Sequence, residues 1–407
     1  MKPFNIIRKT LYWVAGLMGR HPILQSILDT DLYKLTMMQI VYALHKDKHV
    51  VYKFKNRGGT TFPKGFSDEL RLMVVLMKNL RLNSFEKTWL KENCPYFKNE
   101  FLGLLESYRF GPDEVLITEP NPGEVEITIS GPWWRTILWE VPLMAIISEL
   151  YFYMTEQDAD KSLMLKNLTN KAWIFAQHGC QVAEFGTRRR YSFKTQEEVI
   201  QLTKLSPSVP NFIIGTSNVH LAMKHGLKPI GTMAHEWFMG YQGWVNDLVE
   251  INRRALRDWH QFYDGQLSIA LTDTYTTDVF FHAFDENLAR LYDGVRQDSG
   301  DPIEFGKKMI AHYKKLRINP QNKTIVFSDG LDAETATQIQ EIFEDQINVL
   351  FGIGTYLSND VGVKPLNMVI KLWESNGVPV IKLSDTAGKH NGEPEAVQAA
   401  LDQVEAL

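Results

Sequence analysis

Cysteine is almost missing from this chain: its 407 residues include two, Cys94 and Cys180, at no spacing that suits a metal. So little cysteine leaves no disulfide framework and points to a reducing compartment, the cytoplasm. A basic excess is missing as well. Lysine and arginine number 44 against 48 acids, a formal net charge of −4, so the summed field gives nucleic acid nothing to bind. The N-terminal apolar run "LYWVAGLM", behind Arg8 and Lys9, is far below the roughly 20 residues of a membrane helix. It also lacks the small-residue cleavage site of a signal peptide, so residues 1–25 read as an extension and no membrane is expected. Pro- or Ser-rich linkers, low-complexity tracts and strict repeats are absent too. The "HE" pair at His235 and Glu236 lacks the second histidine four residues on that a zinc protease needs, because position 239 is Met.

What is there is an ordinary globular composition, 44% hydrophobic and 12% aromatic, with material for a sizeable core. The length allows two domains, or one large barrel with an extra piece. The first third is mixed and reads as an α+β domain over residues 26–150. "SILDTDLYKLTMMQIVYALH" has helical spacing behind the cap-type residues Asp29 and Thr30. "HVVYKFKNRG" reads as a strand, "DEVLITEPNPGEVEITIS" as a hairpin, and "WRTILWEVPLMAIISELYFYM" as a long buried helix.

From about residue 180 short apolar runs recur, each ending in glycine or a polar cluster: "VAEFGTRRR", "NFIIGTSN", "KPIGTMAHE", "SIALTDTY", "YDGVRQDSGD", "TIVFSDGLD", "NVLFGIGT" and "NMVIKLWE". Helical stretches such as "IEFGKKMIAHYKKL" and "DAETATQIQEIFED" lie between most of them, which implies parallel βα units. The fold class is therefore α/β: an irregular, TIM-like (β/α) barrel over residues 151–385, with a C-terminal tail over 386–407. A doubly wound open sheet is the alternative.

In a barrel the strand ends bring together Arg188, Arg189, Arg190, Ser217, His235, Asp273, Arg296, Asp298, Ser299, Asp301, Asp329, Gly330, Gly352, Gly354 and Thr355. At most two of the three arginines can point inward, Arg188 first, with a guanidinium fork suited to carboxylate or phosphate. Asp273, Asp298, Asp301 and Asp329 form an oxygen set, which favours Mg²⁺ bound partly through substrate phosphates over zinc. Asp332, ahead of "AETATQIQEIF", reads as a helix cap. "FGIGTYLSND" reads as a phosphate loop, its glycines letting backbone N–H groups approach anionic oxygens and Thr355 adding a hydroxyl. His235, just past a strand among carboxylates and phosphate-binding features, reads as a base or as a nucleophile toward phosphorus.

Several motifs in order, "LDTDLYKLTM", "EFGTRRR", "GTSN", "GTMAHEW", "LTDTY", "RQDSGDP", "FSDGLD" and "FGIGT", resemble those of the nicotinate phosphoribosyltransferases, in the type II phosphoribosyltransferase group. The resemblance runs from Ser26 to about Asp385. It implies conversion of nicotinate and 5-phosphoribosyl-1-pyrophosphate to nicotinate mononucleotide and pyrophosphate, the first step of NAD salvage from nicotinate. ATP hydrolysis would be coupled through a phosphohistidine at His235, with Asp273 orienting the imidazole. Phe185 would stack on the pyridine ring, with Tyr33 on its other face supplied by the partner subunit of a homodimer. Arg188 would grip ribose phosphate or the nicotinate carboxylate. Relatives using nicotinamide have Asp where this chain has Ser217, so Ser217 is expected to admit the acid. Arg296 and Asp298 would contact the phosphoribosyl group, Asp298 near Mg²⁺, and Gly330, Gly352, Gly354 and Thr355 would take the 5′-phosphate. The alternatives are a nicotinamide- or quinolinate-using relative, or an unrelated Mg²⁺-dependent sugar-phosphate barrel.

Overall fold

The computed structural model describes residues 21–386 and 390–407, so most of the N-terminal extension lies outside the described residues. Two sheets organise the chain. The first begins with β1 (His49–Asn56), β2 (Val115–Thr118) and β3 (Glu126–Pro132). β2 and β3 form the expected hairpin, and β3 also pairs antiparallel with β1. Two helices have sequences that are apolar nearly all round: Leu32–Leu44, which packs on the short helix Trp133–Thr136, and Glu140–Met154. The stretch Trp133–Met154 is long and apolar enough to cross a membrane, but most of it is buried inside the protein, as in a core helix. Asp31, not Asp29 or Thr30, holds the cap position of the first helix, and its side chain makes no cap bond.

The second sheet is parallel: β4 (Val182–Glu184), β5 (Ile213–Thr216), β6 (Lys228–Pro229), β7 (Ile269–Leu271), β8 (Gly294–Gln297), β9 (Thr324–Phe327) and β10 (Asn348–Ile353). Its order is β6-β5-β4-β10-β9-β8-β7. Because β4 pairs with β10, chain order runs round the curled sheet and is broken only between β6 and β7. Across that break Thr232 Oγ1 donates to the Ile269 carbonyl at 3.0 Å. The strands are short and their C-terminal ends all face one side, which is why the polar clusters that follow them meet.

The eighth run, "NMVIKLWE", does not join the parallel sheet. It forms β11 (Met368–Ser375), which pairs antiparallel with β1 from Asn56↔Met368 to Val50↔Ser375, while β12 (Val378–Pro379) pairs with its far side. A continuous apolar run reads the same whether both its faces are covered in a parallel sheet or in a two-sided antiparallel one. β11 is of the second kind: it packs on the helices His235–Tyr241 and Glu140–Met154. The C-terminal part of the chain thus returns to the N-terminal sheet and carries Lys371 with it.

Candidate active site

His235 is the first residue of the helix His235–Tyr241 and follows Ala234 in extended backbone. That helix sits close against Trp133 because Gly240 faces the indole; a Cβ there would lie 2.2 Å from the ring. The imidazole is buried. Its Nδ1 is 3.1 Å from Thr274 Oγ1, and its Nε2 is 3.0 Å from both Asp298 Oδ2 and Lys382 Nζ. Burial, helped by the Lys382 charge, pushes the ring down to about 4, so it is neutral and keeps a nucleophilic lone pair near pH 7.

Two carboxylates stand near the His235 ring, at unequal distances. Asp273 Oδ1 stands 4.0 Å from Nε2, and Asp298 makes the closer contact. Asp273 is fully buried one layer behind, accepting from Ser299 Oγ at 2.6 Å and Lys382 Nζ at 3.1 Å. Against the pull of burial, Arg296 and His235 hold Asp298 well below the usual carboxylate range. Asp298 Oδ1 takes Arg296 Nη2 at 3.0 Å and Ser328 Oγ at 2.8 Å.

Three adjoining cavities open at the strand ends. One, of about 130 Å³, is lined by Tyr33, Phe185, Arg188, Ser217, Arg296 and Asp31 over the apolar side chains Ile269, Val326 and Leu350. A polar one of about 540 Å³ is bordered by Arg188, Arg189, Arg296, Asp298, Gly330, Gly352, Gly354 and Thr355. The smallest, about 40 Å³, joins Tyr33, Arg188, Arg296 and Asp298 to His235, Glu140, Glu236 and Lys371. Arg188 and Arg296 border all three, so one guanidinium pair reaches the apolar cavity, the polar one and the one beside His235 alike. Tyr33 and Phe185 of this chain border the same cavity. At Gly352 a Cβ would lie 2.5 Å from the Phe185 ring, so the bare backbone there is what admits the ring.

Other expected residues have different employment. Arg190 is fully buried and binds Asp29 through both nitrogens, at 2.7 and 2.9 Å, so of the three arginines Arg188 and Arg189 face the cavities. Asp301 caps the helix Pro302–Lys315, its Oδ1 accepting from Ile303 N and Glu304 N at 2.9 and 2.8 Å. Asp332 caps its helix as expected, at 2.8 Å from Thr335 N. Asp329 is half-buried next to Gly330. Among the described residues no three His, Cys, Asp or Glu side chains are grouped to hold a metal, and both Asp298 oxygens already have protein partners. The side chains do not form a cage for Mg²⁺.

Ser217 Oγ donates to Asp31 Oδ1 at 2.7 Å. Asp31, whose carboxyl is pushed up by burial against the pull of Arg188, therefore lines the ring cavity without having been singled out, although it stands in a quoted motif. Lys371, inside the quoted run "NMVIKLWE", and Lys382 carry no signal in residue type or spacing that sets them apart from solvated lysines. Burial, with Lys382 next, pushes Lys371 down to about 7.

Comparison with known proteins agrees over almost the whole chain. The model of the "Nicotinate phosphoribosyltransferase (NAPRTase) family" matches residues 180–405, and that of the corresponding N-terminal domain matches residues 28–148. The nicotinate phosphoribosyltransferase of Desulforapulum autotrophicum is 49% identical over 94% of this chain and 99% of its own length. That of Chromohalobacter salexigens is 44% identical, over 93% and 97%. A crystal structure of nicotinate phosphoribosyltransferase from Porphyromonas gingivalis superposes with a TM-score of 0.90 at 38% identity, covering 94% of this chain and all of the other. The chain belongs to the nicotinate phosphoribosyltransferase family.

Proposed function

We propose that the three cavities join nicotinate to the ribosyl carbon of 5-phosphoribosyl-1-pyrophosphate, and that ATP hydrolysis is coupled to the reaction through phosphorylation of His235. The observation that carries this reading is a neutral, buried imidazole in a cavity that shares Arg188 and Arg296 with both an aromatic slot and a polar bowl. In it, the pyridine ring lies between Phe185 and Tyr33, and Arg188 faces its carboxylate. Gly330, Gly352, Gly354 and Thr355 take the 5′-phosphate beside Arg189.

The bond from ribose C1 to the pyrophosphate oxygen breaks through an oxocarbenium-like state, and Arg188 and Arg296 stabilise the charge gathering on the leaving oxygens. The pyridine nitrogen supplies the electron pair for the new bond to C1, so no general base is required. In the accompanying step a nitrogen of His235 takes the γ-phosphoryl group of ATP and ADP leaves. Water later returns phosphate and free imidazole. Lys382 stands where it offsets the added charge. Magnesium belongs to this reading only as a companion of the substrate phosphates.

The parallel sheet is read as an irregular (β/α) barrel opened between β6 and β7, followed by the return of β11 to the N-terminal α+β portion. The cytoplasm is the compartment that fits two free buried thiols, both pushed up to about 11 by burial. The homodimer implied by the family resemblance belongs to this reading as well. The test is transfer of label from γ-labelled ATP: wild type should acquire an acid-labile phosphate and His235→Ala should not. Equal labelling of the two would place the phosphoryl group elsewhere.

A further inference from the structure

Behind the smallest cavity lies a buried ion network that the reaction just described does not use. Lys34, in the first turn of the helix Leu32–Leu44, is fully buried next to Tyr33. Its ammonium group is 2.6 Å from Glu140 Oε2 and also pairs with Glu236. The other oxygen of Glu140 is 3.4 Å from Arg188 Nη1, and Glu236 is further held by Tyr52 Oη at 3.1 Å and Trp133 Nε1 at 3.4 Å. Glu236 follows His235 directly, so Lys34 touches one carboxylate that reaches Arg188 and another on the residue next to His235 in the helix.

The unequal distances are the informative feature. Glu140 is committed to Lys34, and its contact with Arg188 is long and single. An arginine offers five N–H donors, and a lone carboxylate beside it favours a two-pronged pair that would occupy the fork. While Lys34 holds Glu140, most of the Arg188 fork stays available to the cavities it borders. We propose that Lys34 is a positioning residue: by engaging Glu140 it keeps Arg188 free for the anionic groups of the substrates, and by engaging Glu236 it ties the start of the His235 helix to the helix that carries Tyr33. The inference rests on Arg188 being a substrate contact.

Steady-state kinetics with nicotinate and 5-phosphoribosyl-1-pyrophosphate test it in Arg188→Gln, Lys34→Met, Glu140→Gln and Lys34→Met/Glu140→Gln. Arg188→Gln should raise KM. Lys34→Met should raise it on the order of tenfold, with a smaller change in kcat, as Glu140 closes on Arg188. Removing that carboxylate in the double variant should bring KM most of the way back, which a merely structural lysine would not allow. A double variant no better than Lys34→Met overturns the proposal. So does an unchanged KM in Lys34→Met when Arg188→Gln raises it, a result that leaves the site reading intact. No rise in Arg188→Gln overturns both. Should Lys34→Met not fold, Glu140→Gln decides: KM at or below wild type supports the proposal, and KM raised as in Arg188→Gln overturns it.

Discussion

At position 235 an imidazole lies between a hydroxyl, a carboxylate and an ammonium group, and position 217 sets a hydroxyl against a buried acid. Residue types alone do not reveal such neighbours. His235, Arg188, Phe185 and Arg296 were legible because each follows or ends an apolar run in a recognisable motif. Asp273 and Asp298 both follow parallel strands, and sequence does not say which carboxylate stands nearer to His235. At Ser217 the geometry gives a specific expectation. Asp31 Oδ1 accepts the Ser217 hydroxyl at 2.7 Å, so Ser217→Asp would set two carboxylates side by side in the ring cavity. The nicotinate KM should rise on the order of tenfold or more while that for 5-phosphoribosyl-1-pyrophosphate changes little. Equal losses for both substrates would mean that Ser217 does not read the carboxylate.

Among elements, the turn after β4 does the most for the site, since it presents both Phe185 and Arg188. Its anchor is Glu184, the last residue of the strand and fully buried. The carboxyl accepts from Gly186 N at 2.6 Å, Thr216 Oγ1 at 2.6 Å and Gln196 Nε2 at 3.0 Å, with no cation among these partners. Burial pushes this acid up to about 7 from 4.5, against the pull of those hydrogen bonds. Between these two values the folded state holds the proton more tightly than the unfolded chain, so stability from this group is full below pH 4.5 and is lost as pH rises through about 7. The whole effect is at most ~3 kcal/mol. Glu184→Gln, which mimics the protonated acid, should therefore gain a few degrees of Tm over wild type between pH 5 and pH 8. A Tm difference independent of pH would show that Glu184 does not titrate in that window. Glu184 opens the quoted "EFGTRRR", but its residue type does not mark an anchor, because a glutamate ending a short strand looks like any solvated strand end. The β11 run misled for the opposite reason: its apolar pattern is strong, but both-face burial is common to two kinds of sheet.

Across the whole molecule, the site depends on contacts between distant parts of the chain. Thr36 Oγ1 in the first helix donates to the Thr232 carbonyl at 2.7 Å, just ahead of His235. Lys382 comes from the segment after β12, and the Leu383 backbone N–H donates to the Thr274 carbonyl at 2.9 Å, which holds that segment over the His235 ring. Hairpin, strand and helix patterns show which local elements form, and motif order indicated that their ends share a site. Which far residues close over it depends on long-range packing, to which local periodicity is blind. Hence seven parallel strands, the glycine loop and the arginines were legible, whereas Lys34, Lys371 and Lys382 were not.

The most direct test of the account is release of pyrophosphate from 5-phosphoribosyl-1-pyrophosphate, measured with nicotinate or nicotinamide, each with and without ATP. The account predicts release that depends on nicotinate, rises with ATP in wild type, and loses the ATP effect in His235→Ala. Release that prefers nicotinamide, or an ATP effect that survives in His235→Ala, would contradict it.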